Sequence, residues 1–238
     1  MIILTKYSDK KTEEIETITF DHYMTLFHQT NETKEDIIYP IVRSLQDQIE
    51  LNEKRFMSVY LELDKNYRKS LKETFIETTL DTIVFNALTK TGHNHSQLAK
   101  IVKTSIDVGL ATRHITWFED AQDTLQQLIE LGYTLVLISN THWRWSPERF
   151  DELKPFFKVI TLSYEHGFAK PHPSIFHTTL AKLKVNPEHC LHVGDDPYAD
   201  IVGAKGARMK TAYIKRSERS SEADIEIYKL SEILRYVK

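Results

Sequence analysis

Apolar residues recur along this chain in two rhythms. Between about residues 28 and 113 the rhythm is helical. Phe56, Val59, Tyr60, Leu63 and Tyr67 stand at i, i+3, i+4, i+7 and i+11, and Ile37, Ile38, Ile41, Val42 and Leu45 repeat the pattern. Side chains spaced this way share one face of a helix. The stretch holds one proline, Pro40, and two glycines, Gly92 and Gly109, so little interrupts it.

On either side the chain alternates short β-like runs with helical patterns. Residues 15–20 form the first run. Leu125, Leu128, Ile129 and Leu131 mark a helix face, and Gly132 stands where a C-cap is expected. Strands follow over residues 134–139 and 159–162. Ser146 before Pro147, and His172 before Pro173, predict helix starts with proline in the first turn. A strand over 189–193, a helix from about Tyr198 and a strand over 211–214 complete the series. Strands separated by helices predict an α/β fold, a Rossmann-like parallel sheet with helices on both faces. The helical block interrupts the sheet after its first strand. The expected domains are a core of residues 1–27 and 114–238 and an inserted helical cap of residues 28–113.

Composition narrows the class. The chain has 238 residues, 41% hydrophobic and 27% charged, with a formal net charge of -3. That mix suits a folded soluble protein, and its interspersed charges give no electrostatic case for nucleic acid or an anionic membrane. The single cysteine, Cys190, excludes an intramolecular disulfide and a four-cysteine zinc site. No apolar run approaches the ~18 residues that a membrane span needs. The opening MIILTKYSDKK has too short an apolar stretch for a signal peptide. The expected location is cytoplasmic, and no pattern specifies an oligomeric state.

In an open parallel sheet, ligands bind beyond the carboxyl ends of the strands. Asp21 follows the first strand, in FDHYMTLF. Ser139 and Asn140 follow the second, in ISNTHW. Lys170 and Pro171 come after the third, in GFAKPHP. Asp195, Asp196 and Asp200 follow the fourth, in HVGDDPYADIVGA. An aspartate in such a place can serve as a covalent nucleophile. Asp195 and Asp196 could join Asp21 in holding a hard cation, and Mg²⁺ prefers a few carboxylates with water and phosphate oxygens. Ser139, the Asn140 backbone N–H and Lys170 could neutralise phosphoryl oxygens, with Asp200 orienting Lys170.

Taken in order, Asp21, Ser139, Lys170-Pro171, Gly194-Asp195-Asp196 and Asp200 resemble the four motifs of the haloacid dehalogenase-like hydrolases with a helical cap. The resemblance runs from about residue 15 to residue 214. It implies an enzyme with Asp21 as nucleophile and Mg²⁺ as cofactor. The metal would be held by Asp21, Asp195, Asp196 and the backbone carbonyl of Tyr23. Catalytic roles would fall to Asp21, Tyr23, Ser139 and Lys170. A small-molecule substrate would be bound by Thr25, Ser139, Asn140 and Lys170, under a cap that selects it.

The first motif departs from the family's phosphatases. Tyr23 stands where a second aspartate usually serves as general acid and base, and Met24 stands where glycine is usual. Tyrosine there resembles the branch that dehalogenates 2-haloacids without metal. Those enzymes usually carry Ser and Asn where this chain has Asp195 and Asp196, so the fourth motif is phosphatase-like. Three readings result: a Mg²⁺-dependent phosphatase of a small phosphorylated metabolite, a metal-independent 2-haloacid dehalogenase, and a catalytically weak, ligand-binding or regulatory protein on the same fold.

Plainer roles stand beside these. Asp196 could be a helix-terminal charge, and Tyr23 could pack under the cap. Cys190 is expected to be buried and inert, and His93 and His95 to be exposed loop residues. Trp143 and Trp145 could border the pocket or pack against the cap. Arg43 and Arg68 could reach a substrate anion or be solvated.

Overall fold

The computed structural model describes residues 15–29, 35–111 and 115–237. The opening segment considered as a leader, and Arg113 at the limit of the helical block, lie outside the described residues. Strand β1 (Thr17–Phe20) leads through a turn to β2 (Phe27–Gln29). Four helices follow: α1 (Glu35–Gln46), α2 (Glu53–Thr74), α3 (Leu80–Lys90) and α4 (Leu98–Ala111). Strand β3 (Ile115–Trp117) then returns antiparallel to β2, with Phe27 opposite Trp117. His28, the expected start of the helical block, therefore sits in this two-stranded ribbon.

Next come α5 (Ala121–Glu130), β4 (Thr134–Ser139), α6 (Pro147–Leu153), β5 (Val159–Leu162) and the short α7 (Ser163–His166). They are followed by α8 (Pro173–Leu183) and β6 (Cys190–Gly194). A π-helical turn (Pro197–Val202) runs into α9 (Gly203–Gly206), and β7 (Lys210–Ile214) and β8 (Ile225–Ile227) end the sheet. The proline-led helices start as their sequences predict. The Ser146 hydroxyl accepts from the Arg149 N–H, and the His172 ring accepts from the Ser174 N–H.

The main sheet has six parallel strands in the order β5-β4-β1-β6-β7-β8. β1 is central, with Phe20 level with Leu137 of β4 and Val193 of β6. Ile18, Phe20, Leu135, Leu137, Leu191 and Val193 join α5 in one apolar cluster. Val136, Ile138 and Cys190 join α8 in another. Alternate residues of a strand point to opposite faces, so two clusters mean a sheet covered on both sides.

The helical block has its own apolar cluster, built from Ile38, Ile41, Val42, Leu45, Phe56 and residues of α3 and α4. Gly109 lies inside α4, where a Cβ would fall 2.3 Å from Ile41 Cγ1 and 3.0 Å from the Ile37 carbonyl. The two helices cross at that glycine because no side chain stands between them. One residue of the expected core is outside it: Leu131 caps α5 and is 55% exposed.

Candidate active site

Because β1, β4 and β6 run parallel and in register, the residues after them emerge at one edge. The Asp21 N–H donates to the Val193 carbonyl at 2.9 Å, which fastens the end of β1 to β6. Asp21 is buried, and its Oδ1 accepts from Lys170 Nζ at 2.6 Å. The same ammonium donates to Asp200 Oδ1 at 2.6 Å. Asp200 also faces His192 Nε2 at 3.2 Å and accepts the Asp196 N–H at 2.9 Å. His192 Nδ1 lies 2.7 Å from the Thr19 hydroxyl. Gly194 is required here: a Cβ would come within 2.3–2.4 Å of the Asp200 side chain.

Burial and charge divide the carboxylates. Burial pushes Asp21 up to about 6, against the pull of Lys170. Burial also disfavours the charged forms of Lys170 and Asp200, but their mutual attraction prevails. Lys170 is held above, and Asp200 below, the ordinary range. Burial lowers His192, which keeps its ring neutral. Asp195 is pushed up to about 8, first by burial and then by Asp21 and Asp200. Among the described residues no hydrogen bond or ion pair reaches the Asp195 side chain. Two of the three carboxylates thus pair with one ammonium, and Asp195 stands beside them without a cation of its own.

Carboxylate atoms of Asp21, Asp195 and Asp200 all lie within 4.8 Å of one another. An all-oxygen group with surplus negative charge fits a hard divalent cation. Asp200 is already committed to Lys170, His192 and a backbone N–H, which leaves Asp21 and Asp195 as the residues able to hold one. Asp196, also expected as a ligand, is engaged elsewhere. Its Oδ1 accepts from the Tyr198 and Ala199 N–H groups at 2.8 and 2.9 Å, and its Oδ2 pairs with Arg219 at 2.8 Å. These partners hold Asp196 below its ordinary pKa although burial opposes them. The carboxylate is a helix cap, and it lies outside the cluster.

The turn after Asp21 keeps a glycine-like backbone without the glycine. Met24 has φ 63°, and its N–H donates to the Phe27 carbonyl at 2.6 Å. Arg216 Nε, from the loop after β7, donates to the Met24 carbonyl at 3.2 Å. Tyr23 is 42% exposed, and His22 stacks on Phe27 and lies tilted against Trp145. Thr25 is fully buried, and its hydroxyl finds no hydrogen-bond partner among the described residues. Ser139 ends β4. The Asn140 side chain grips the Lys170 backbone, accepting its N–H at 2.7 Å and donating to its carbonyl at 2.9 Å.

A cavity of about 1210 Å³ opens beside the cluster, between the helical block and the core loops. His22, Tyr23, Ser139 and Asn140 line its core side, and α1, α2 and α4 line the other. Trp143 and Trp145 both border it, while Trp143 also packs on the helical cluster. Arg68 lines it and pairs with Asp64 at 2.6 Å, whereas Arg43 does not border it. His93 has partners within the helical block, with Nε2 2.9 Å from the Glu50 carbonyl and Nδ1 3.2 Å from the Thr91 hydroxyl. Cys190 is buried, and burial raises its thiol to about 12.

Several contacts that motif order did not indicate bind the helical block to the core. Arg144 of the core pairs with Asp81 of α3 and with Asp107 of α4. Glu77, in the link between α2 and α3, accepts from Tyr67 and from Ser163 of the core. Backbone bonds join Ala169 to Phe75 at 2.9 Å and Glu77 to Gly167 at 3.0 Å, just ahead of Lys170. His192 was equally silent in the sequence, reading only as part of a strand.

A model of the haloacid dehalogenase-like hydrolase family matches residues 15–208. The chain belongs to that family of hydrolases. It is 38% identical over 108 residues to the glyceraldehyde 3-phosphate phosphatase of Pyrococcus furiosus, covering 44% of this chain and 45% of that protein. It is 38% identical over 127 residues to the pyrophosphatase PpaX of Anoxybacillus flavithermus, covering 49% of this chain and 58% of that one. The chain thus spans about half the length of these curated relatives. Its fold is similar to a 2-haloacid dehalogenase from Pseudomonas syringae pv. Tomato DC3000. The TM-score is 0.71 and the identity 25%, over 93% of this chain and 97% of that one. No helix among the described residues is long and apolar enough to cross a membrane.

Proposed function

We propose that this chain is a Mg²⁺-dependent phosphatase of a small phosphorylated metabolite, with Asp21 as nucleophile. The observation that carries the reading is the convergence of the Asp21, Asp195 and Asp200 carboxylates at the carboxyl edge of the sheet, with a buried lysine paired to Asp21 and Asp200. When bound, Mg²⁺ would be held by Asp21, Asp195 and the Tyr23 carbonyl, and it would offset repulsion between the carboxylate and an anionic phosphoryl group.

The Asp21 carboxylate attacks phosphorus, the bond to the leaving alcohol breaks, and an acyl phosphate forms. Water then cleaves that acyl phosphate and regenerates Asp21. Lys170 has three donors and spends two on Asp21 and Asp200, so the third is available to a phosphoryl oxygen. Ser139 and the Asn140 N–H supply further donors, and the Asn140 side chain keeps Lys170 in place. Tyr23 replaces the usual acid and base, so leaving-group protonation is weak and poor leaving groups react slowly. Residues 28–113 act as a cap that excludes water over a core of residues 1–27 and 114–238.

Tyr23 and the likeness to the Pseudomonas enzyme favour a second reading, metal-free dehalogenation of 2-haloacids. Asp195 argues against it, because burial and the neighbouring Asp21 and Asp200 disfavour its charged form, a cost that a bound divalent cation relieves and that a metal-free site has no reason to carry. Phosphoesters and 2-haloacids, each with EDTA or Mg²⁺, separate the two. Phosphate release that stops with EDTA, returns with Mg²⁺ and is lost in Asp21→Asn is expected. Chloride release from 2-chloropropionate that is indifferent to EDTA would establish the second reading instead.

A further inference from the structure

The cavity beside the cluster is large for the small phosphates that the relatives' names suggest. Sites that enclose drug-sized ligands measure roughly 300–1000 Å³, and this one is about 1210 Å³. Its size does not come from a detached cap. Arg144 spans from the core to Asp81 and Asp107, Glu77 joins Tyr67 to Ser163, and the Phe75–Glu77 backbone is bonded to the core. A triose phosphate would occupy a small part of this space.

The lining indicates what fills the rest. Tyr39 of α1 and Leu61 of α2 both border the cavity and are 43% and 56% exposed. Large apolar side chains left open inside a concave site are surface that a ligand would remove from water. Tyr60 and Trp143 add flat aromatic faces, which favour stacking with a ring. One polar feature interrupts this wall. Asp64 holds Arg68 through Nε, and the terminal nitrogens of Arg68 make no hydrogen bond among the described residues. A guanidinium fixed by a neighbouring carboxylate, with two terminal nitrogens that make no hydrogen bond among the described residues, is a donor pair for an acceptor edge on a ligand.

We infer that the leaving group is a heteroaromatic ring system with a hydrogen-bonding edge, carried on a phosphomonoester of the nucleoside 5′-monophosphate type. The ring lies against Tyr39, Tyr60 and Leu61, and its edge meets Arg68. This selection rests on the phosphatase reading, and it has a signature of its own.

The experiment compares uridine and adenosine 5′-monophosphates with glycerol 3-phosphate. All three release a primary alcohol, so differences in kcat/KM report on the cavity and not on leaving-group chemistry. At least a ten-fold preference for a nucleotide is expected, of the order that one well-filled apolar pocket supplies. The preference should fall toward unity in Leu61→Asp and in Arg68→Met. Leu61 is exposed, so the first substitution leaves the fold intact. In parallel, the unphosphorylated nucleosides are titrated against the fluorescence of the tryptophans lining the cavity. Saturable quenching that weakens in Leu61→Asp is expected. Glycerol 3-phosphate turned over as well as either nucleotide would overturn the inference and leave the phosphatase intact. Nucleosides that bind while no phosphoester is hydrolysed would refute the phosphatase and retain the cavity's selectivity. Nucleosides that neither bind nor improve turnover as monophosphates would refute the inference outright.

Discussion

Replacing Gly194 by alanine adds one methyl group at the tightest point of the site. The new Cβ would lie 2.3 Å from Asp200 Cγ and 2.4 Å from its Cβ and Oδ2. Carbon atoms in contact sit about 3.5–4.0 Å apart, so Asp200 must retreat by more than about 1 Å. Asp200 is 1% exposed and holds Lys170 at 2.6 Å, so it has nowhere to retreat without loosening that pair. Overpacking of this kind costs about 1–3 kcal/mol. For a chain of this size each kcal/mol lowers the melting temperature by about 2–4 °C, which gives a loss of roughly 2–12 °C. Turnover should fall with it, because a displaced Asp200 no longer orients Lys170 beside Asp21. Gly206→Ala is the control, since a Cβ there meets nothing within 4 Å. Thermal unfolding of both variants, with phosphate release assayed below the transition, tests the reasoning. A Gly194→Ala protein that melts within about 1 °C of the parent and keeps full activity would refute it.

Two further outcomes follow from the same geometry. In the folded chain Asp21 is held at about 6 and Asp195 at about 8, against 3.8 for an unperturbed aspartate. A carboxyl whose folded pKa is raised contributes stability that is complete below the unfolded value and is lost as pH climbs through the folded one. In EDTA these two groups should lower the melting temperature from about pH 4 to about pH 8, opposed below pH 6.5 by His192, whose pKa burial lowers, and the gain from added Mg²⁺ should grow over that range. A Mg²⁺ gain that is flat with pH would contradict this. Tyr23→Asp restores a carboxylic acid where the family's phosphatases carry one. It should accelerate hydrolysis of alkyl phosphates by about 10²–10⁴ and affect acyl phosphates little, and pre-steady-state phosphate release showing equal effects on both would count against the role assigned to this position.

The sheet was legible because its signals are local. Apolar runs such as residues 134–139, bounded by Gly132 and by Ser146-Pro147, specify strand and helix without help from distant residues. The order of Asp21, Ser139, Lys170 and Asp195 was legible because the carboxyl ends of parallel strands must share an edge. Residues whose partners come from remote segments were not legible. His192 gains its place only when β1 brings Thr19 beside it, and Arg216 only when the loop after β7 reaches Met24. Asp196 shows the converse: its motif position suggested a ligand, while the N–H groups of Tyr198 and Ala199 and the distant Arg219 make it a cap. Strands β2 and β3 are three residues each, too short for a period to register, yet they form the ribbon at the base of the helical block. Gly109 read as a breaker, and only the crossing of α1 and α4 shows why it is there.

The covalent role of Asp21 is reached most directly by trapping. Acetyl phosphate is a suitable donor, since its leaving group needs no protonation from the position that Tyr23 occupies. The protein is mixed with it and Mg²⁺, quenched in acid, reduced with borohydride and mapped by mass spectrometry. An aspartyl phosphate is reduced to homoserine, so homoserine is expected at position 21 in the parent chain and is absent when the Mg²⁺ is replaced by EDTA. Homoserine at another aspartate, or rapid phosphate release with Asp21 recovered unmodified throughout, would contradict the account.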